Sequence, residues 1–386
     1  MPTSLDGTEA LVLSAIIECG EGALTGLLRH LPRPHGDDGA IVARMTDFDA
    51  QLSSVNFVWI SHAHLDHYGD LPIVVQAIAN AKQELGRITR RPSKPVLVVA
   101  PSKVLKYLDV LLRRSGSSTN DDFYAGVTHR EFRQSPFAGH LRALVFDHAL
   151  PVPPHPRRDV RQSDKTEREI ATEYYRPFAS LRNVEVEHCR EAFALVLELN
   201  VPSESRQSGG GTRSDERPSS FVLCFSGDTR PSDNLIRGCL SRPPDGTDPR
   251  ARRQNRHCRR QGDAPPPPPP PRVSLLIHEA TFLDDPRGRT DAVKKRHSTV
   301  AEALRVAKRV GAGACLLTHF SQRYRRVSVE DVVGRPPDDG RNPHPFGWGV
   351  ASDGMMLPLT RRALSKLFGL SRCVDALTTS SRSEGT

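Results

Sequence analysis

The sequence predicts a layered α/β fold, and three features carry that prediction. Short β-branched runs alternate with amphipathic stretches, several strands end in polar residues, and helix start and stop signals flank the amphipathic stretches. In chain order, VNFVWISH (55–62) is a strand ending in a polar cluster, and LPIVVQAIANAKQELG (71–86) follows at helical spacing. PVLVVAPS (95–102) then leads into the helical KVLKYLDVLLRRS. LRALVFDHAL, VEVEHCREAFALVLEL, FVLCFSGDT, SLLIHEAT and ACLLTHFS add strands, the second folding back as a hairpin about Cys189 to Glu191. HSTVAEALRVAKRVGAG (297–313) reads as a helix with Ser298 or Thr299 as N-cap, Glu302 in the first turn and Gly311 at its end. Polar residues at so many strand ends place the chemistry on the loops that follow them.

The 386 residues suffice for one large domain or two small ones, yet only 37% are hydrophobic and 6% aromatic, with 32 Pro and 28 Gly. Part of the chain is therefore not core. Residues 201–220 (VPSESRQSGGGTRSDERPSS) read as a solvated loop, 241–272 as an Arg-studded spacer ending in the prolines Pro265 to Pro271, and 371–386 as a disordered tail. The formal charge is +9. Eight Arg and three Asp in 241–272 supply +5 of it, so the basic balance belongs largely to a spacer. No apolar run reaches the length of a membrane span and no basic segment precedes the first apolar stretch, which predicts neither membrane anchor nor secretory signal. Seven scattered cysteines without a CxxC pair exclude cysteine-rich zinc modules and predict free thiols in an intracellular reducing compartment.

The sharpest feature is Ser61-His62-Ala63-His64-Leu65-Asp66-His67, directly after a strand. Four potential ligands in six residues, on a turn leaving a buried strand, suit a divalent cation and would be costly as desolvated structure alone. Two alternating histidines can face one metal while the Asp-His step turns toward a second. Further ligands must come from later strand ends. His188 after VEVE, with His148 as its rival, Asp228 in SGDT and His319 in LLTHFS are the candidates.

This arrangement resembles the metallo-β-lactamase superfamily, which implies an αββα sandwich with two metals at the sheet edges. Within it, ECGEG, SHAHLDHYGDLP, EHCREAF, SGDTRP, LLIHEATF, KKRHST and LTHFSQRY occur in the order found in the tRNase Z family, endoribonucleases that remove the 3′ trailer of precursor tRNA. The EHCREAF match favours His188 over His148. The resemblance implies that His62, His64 and His188 hold one Zn²⁺, that Asp66, His67 and His319 hold the other, and that Asp228 bridges them, with Mn²⁺ as a substitute metal. It further implies that Asp66 accepts the proton of the attacking water. His297 would then protonate the leaving 3′ oxygen, oriented by Glu279. RITRRPSKP (87–95), Lys294 to Arg296 and Arg323 to Arg326 are candidate phosphate contacts.

The match is to the carboxy-terminal half of the family's long form. His188 and Asp228 are 40 positions apart and 20 of these are the polar loop 201–220, so the tRNA-gripping arm that short forms carry there does not fit. The Gly-rich first strand that family members carry before ECGEG is also missing from the pattern. The expected organisation is thus a catalytic domain over 1–370 with the two inserts. Its substrate would be precursor tRNA, and its partners a separate arm-bearing half and a second copy of the chain, in nucleus or mitochondrion. Two other readings are a hydrolase of a small phosphodiester, lactone or thioester, and a binding fragment whose polyproline docks on partner domains.

Overall fold

In the computed structural model, β1 (Ser14–Ile17), β2 (Val55–Trp59), β3 (Val96–Ala100) and β4 (Tyr124–Thr128) lie side by side in that order as a parallel sheet. The structure describes residues 14–30, 47–90, 93, 95–114, 124–134, 178–201, 219–241, 272–324, 327–333, 342 and 344–373. Apart from their ends, the two polar inserts lie outside these residues, as do His148, Arg325, Arg326 and 374–386. Residues 367–373 are helical, so ordered structure runs to Cys373, three residues into the stretch read as a tail.

Parallel strands are covered on both faces and therefore read as continuous apolar runs, which is why every residue of VLVVA in β3 is buried. Helices Ala23–His30, Asp47–Ser53, Leu71–Thr89 and Ser102–Arg114 lie between these strands in the chain. The longest starts with Pro72 in its first turn, where a missing N–H costs nothing, and stops at Arg90, which takes the left-handed conformation (φ 54°). Its apolar positions Leu71, Val74, Val75 and Ile78 repeat at helical spacing and join Val58, Ile60, Val98, Val104 and Leu108 in the core. The predicted hairpin is β5 (Phe178–Glu185) and β6 (Phe193–Val201), closed by Val186 N–H donating to Ala192 O at 3.0 Å.

His129, the first residue of the helix His129–Gln134, is 2% exposed. Its ring stacks on Phe193 at 4.4 Å and meets Trp59 edge-on at 5.5 Å. Burial pushes its pKa down to about 3. The unfolded chain takes up this proton near the ordinary value of about 6.5. The fold therefore keeps its full stability above that value and loses it as pH falls toward 3, where the unfolded state binds the extra proton. His129→Phe keeps the ring packing and removes the proton uptake. Its acid-unfolding midpoint, followed by circular dichroism, is expected at lower pH than that of the parent.

β7 (Ser219–Phe225), β8 (Leu275–Glu279), β9 (Ala314–Thr318) and β10 (Gly347–Val350) are parallel neighbours, and the second sheet runs β10-β9-β8-β7-β6-β5. By compactness, the described residues up to Leu195 form most of one unit and Phe221–Ala351 most of a second. In the second unit the helix Val300–Val310 has Thr299 as its N-cap, with Glu302 reciprocating in a capping box, and ends at Gly311 (φ 65°).

Candidate metal centre

In the first unit the chain leaves the sheet at Ile60, whose N–H still donates to Val99 O at 2.9 Å. The next N–H, of Ser61, instead donates to Glu18 Oε1 at 3.1 Å, and Ser61 O accepts from Phe193 N–H at 3.1 Å. His62 is then fully buried with Nδ1 2.8 Å from Ser61 Oγ, and its Nε2 lies 2.9 Å from His64 Nδ1. His188 Nε2 reaches the same His64 Nδ1 at 3.2 Å. The three ring centroids are 4.5, 4.8 and 5.0 Å apart, each pair close to perpendicular. A tetrahedral metal with bonds of 2.0–2.1 Å holds imidazole nitrogens about 3.3 Å from one another. Three lone-pair nitrogens converging at nearly that spacing, with no acid among them, fit a divalent cation.

The remaining predicted ligands of this unit sit on the turn Leu65–Tyr68, where Asp66 is exposed and His67 buried, with the His67 ring 4.1 Å from that of His62. Glu18 (φ 68°) brings Oε2 to 3.3 Å from His67 Nδ1. Cys19 N–H donates to His67 O at 2.7 Å, and a Cβ on Gly20 would fall 1.9 Å from Asp66 O, so this approach needs glycine. His188 occupies the hairpin turn, fastened where Glu191 Oε2 accepts from Ser102 N (3.1 Å) and Oγ (2.9 Å). A carboxylate holding a ligand histidine by its second nitrogen is worth about 10–100-fold in metal affinity. Glu18→Gln is accordingly expected to weaken metal binding by about that factor in competition with a chromophoric chelator, and a change under about threefold would exclude the role.

In the second unit, parallel register brings the carboxyl ends of β7, β8 and β9 to one edge, with Phe225 opposite Ile277 and Glu279 opposite Thr318. Asp228 follows Gly227 (φ 57°), Glu279 closes β8, and His319 leaves β9 with φ 59°. Glu279 is 1% exposed. Its Oε1 accepts from Thr229 N, Ser298 N and His297 Nδ1, each at 3.0 Å, and its Oε2 from Thr281 N (3.0 Å) and Oγ1 (2.7 Å). Five donors satisfy a carboxylate that would otherwise be costly to bury, and the Nδ1–H donated by His297 puts the lone pair of the neutral ring on Nε2. Thr281 Oγ1 also lies 3.1 Å from His297 Nδ1 and 3.0 Å from His319 Nδ1. Asp228 Oδ1 is 3.5 Å from His319 Nε2, and Oδ2 is 3.9 Å from His297 Nδ1.

Arg230 grips Glu302 with two guanidinium nitrogens (2.7 and 2.6 Å) and donates to His297 O at 2.6 Å, tying the Asp228 turn to the helix that follows His297. His278 is fully buried with Nδ1 2.6 Å from Glu279 O, and burial lowers its pKa.

All nine predicted site residues thus fall into two within-unit clusters: His62, His64, Asp66, His67 and His188 in the first, and Asp228, Glu279, His297 and His319 in the second. Glu18, Thr281 and Arg230 were not singled out from the sequence, although ECGEG, HEAT and SGDTR contain them. Arg323, a candidate phosphate contact, pairs with Asp291 at 2.6 Å and lies over the Phe282 ring at 4.7 Å. Lys294, Lys295 and Arg296 are exposed.

No family model matches the chain. Among curated relatives, the mitochondrial tRNase Z TRZ4 of Arabidopsis thaliana is 25% identical over 339 residues, covering 82% of this chain and 29% of its own. The human zinc phosphodiesterase ELAC protein 2 is 26% identical over 319 residues, covering 82% and 27%. Ribonuclease Z 1 of Schizosaccharomyces pombe is 25% identical over 356 residues, covering 92% and 31%. The chain spans less than a third of the length of these relatives. The crystal structure of a long form RNase Z from yeast superposes with a TM-score of 0.51 at 19% identity, covering 94% of this chain and 39% of that one. The resemblance to tRNase Z therefore extends over most of the chain, and the fold is the two-sheet metallo-β-lactamase α/β fold expected from the motifs.

Proposed function

We propose that this chain is a zinc-dependent endoribonuclease that removes the 3′ trailer of precursor tRNA. The observation that carries the reading is the Glu279–His297 pair, a buried carboxylate fixed on Nδ1 of a histidine beside Asp228 and His319. Such a dyad is suited to delivering a proton at a metal-dependent phosphodiester site. The names of the relatives, tRNase Z, ribonuclease Z and zinc phosphodiesterase, support the substrate and the metal.

His62, His64 and His188 would hold one zinc and Asp66, His67 and His319 the other, with Asp228 shared. When bound, the metals supply Lewis acidity at the scissile phosphate and bring the pKa of a water toward neutrality. Asp66, exposed on its turn, accepts the proton of the attacking water. The P–O3′ bond breaks, His297 gives its Nε2 proton to the departing O3′, and Glu279 stabilises the charge that His297 carries beforehand. The products are a tRNA with a 3′ hydroxyl and a trailer with a 5′ phosphate. Grip on the tRNA body would come from a separate arm-bearing polypeptide, with a second copy of the chain as a further partner. A mitochondrial setting is favoured over the nucleus by the names of the Arabidopsis relatives.

Purified full-length chain loaded with Zn²⁺ or Mn²⁺ is expected to convert a trailer-bearing tRNA to a product ending at the discriminator base. Absence of cleavage by protein with metal demonstrably bound, with and without an arm-bearing partner, would refute the proposal.

A further inference from the structure

The hairpin turn that carries His188 presents a second metal-binding side chain, Cys189. Its Sγ and one nitrogen from each of His62, His64 and His188 all lie within 4.8 Å of one another. These four donors come from the first unit alone. A tetrahedral metal with one thiolate and three imidazoles requires S···N separations of about 3.6 Å. At most roughly 1 Å of movement is therefore needed, within reach of rotation about the Cys189 Cα–Cβ bond. The other thiols of the described residues are placed differently. Cys19 and Cys315 are fully buried, and burial pushes both thiols up to about 12, which makes them apolar filler. Cys224 and Cys239 are buried against each other, Sγ to Sγ 3.4 Å. Cys189 is half-buried, its Sγ weakly directed at Arg190 O at 3.6 Å, a contact a metal bond would readily replace.

We propose that Cys189 completes a His₃Cys tetrahedral site, so that the first unit binds one thiophilic divalent ion without Asp228 or any other donor of the second unit. The inference rests on the proposed metal-binding role of the three histidines and goes beyond it. The thiolate forms as the metal displaces the thiol proton, which makes binding release a proton and favours the soft Cd²⁺ and the borderline Zn²⁺ and Co²⁺ over the hard Mn²⁺. The chain would then have two metal states. In one, a ligand other than the sulfur fills the fourth position. In the other, the sulfur fills it and the ion is closed off from substrate, since a site with four protein ligands has no open position.

Cobalt(II) added to the full-length chain at one ion per chain tests this spectroscopically. A near-ultraviolet sulfur-to-cobalt charge-transfer band, alongside the visible bands of a tetrahedral ion, is expected in the parent protein. The band is expected to persist in Asp228→Ala and to vanish in Cys189→Ser while the visible bands remain. Visible tetrahedral bands without the charge-transfer band in the parent protein would overturn the role of Cys189 and leave the three-histidine assignment standing. Cobalt that fails to bind, or that gives the same spectrum in His64→Ala, would overturn both. Retention of the charge-transfer band in Cys189→Ser would also overturn the proposal.

Discussion

His64→Ala is expected to abolish metal binding at the three-histidine cluster and trailer cleavage with it, while leaving the fold intact. His64 Nδ1 is the point on which His62 Nε2 and His188 Nε2 both converge, yet its side chain is exposed. Removing an exposed side chain changes stability by only about 0.5 kcal/mol or less, whereas truncating the buried His62 would open a cavity as well. Loss of a partner outside the ligand set already costs about 10–100-fold in affinity, so loss of a ligand should exceed about 100-fold. Metal content by mass spectrometry, far-ultraviolet circular dichroism and cleavage rate separate the outcomes. A variant that retains full metal content and activity would remove His64 from the site.

The second large effect is expected at His297. A general acid contributes about 10²–10⁴ in rate, or about 3–5.5 kcal/mol of barrier. His297→Ala should lose that factor on precursor tRNA and lose less than about tenfold on a phosphodiester with a p-nitrophenol leaving group, which departs without protonation. Glu279→Gln should fall in the same range and combine non-additively with His297→Ala, because the two act as one device. Equal losses on both substrates would instead assign His297 a structural role.

These expectations could be framed from the sequence because the ligand pattern is local. HxHxDH places four potential metal ligands within six residues of one strand end, and the helix after His297 announces itself by Thr299, Glu302 and Gly311. What stayed hidden is long-range. Glu18 meets His67 across 49 positions and Arg230 meets Glu302 across 72, and neither separation leaves a periodic trace. Ser14–Ile17, Tyr124–Thr128 and Gly347–Val350 are four- or five-residue strands, and YAGVT and GWGV contain glycines that weaken strand propensity. They are strands because neighbours in register supply their hydrogen bonds, which a reading of one segment at a time cannot see. The partner of Arg323 stayed hidden for a related reason. A basic residue's partner, here Asp291, is set by the fold rather than by adjacency.

Thr281 shows how little freedom the proton inventory of the second cluster has. A hydroxyl owns one hydrogen and two lone pairs. The short contact to Glu279 Oε2 claims the hydrogen, so Oγ1 faces His297 Nδ1 and His319 Nδ1 as an acceptor only. Both rings are thereby held with hydrogen on Nδ1, and in the neutral His319 ring the lone pair falls on Nε2, 3.5 Å from Asp228 Oδ1. One threonine thus sets the same tautomer in both rings. The opposite roles proposed for two identical side chains would then come from Glu279, the carboxylate paired with His297.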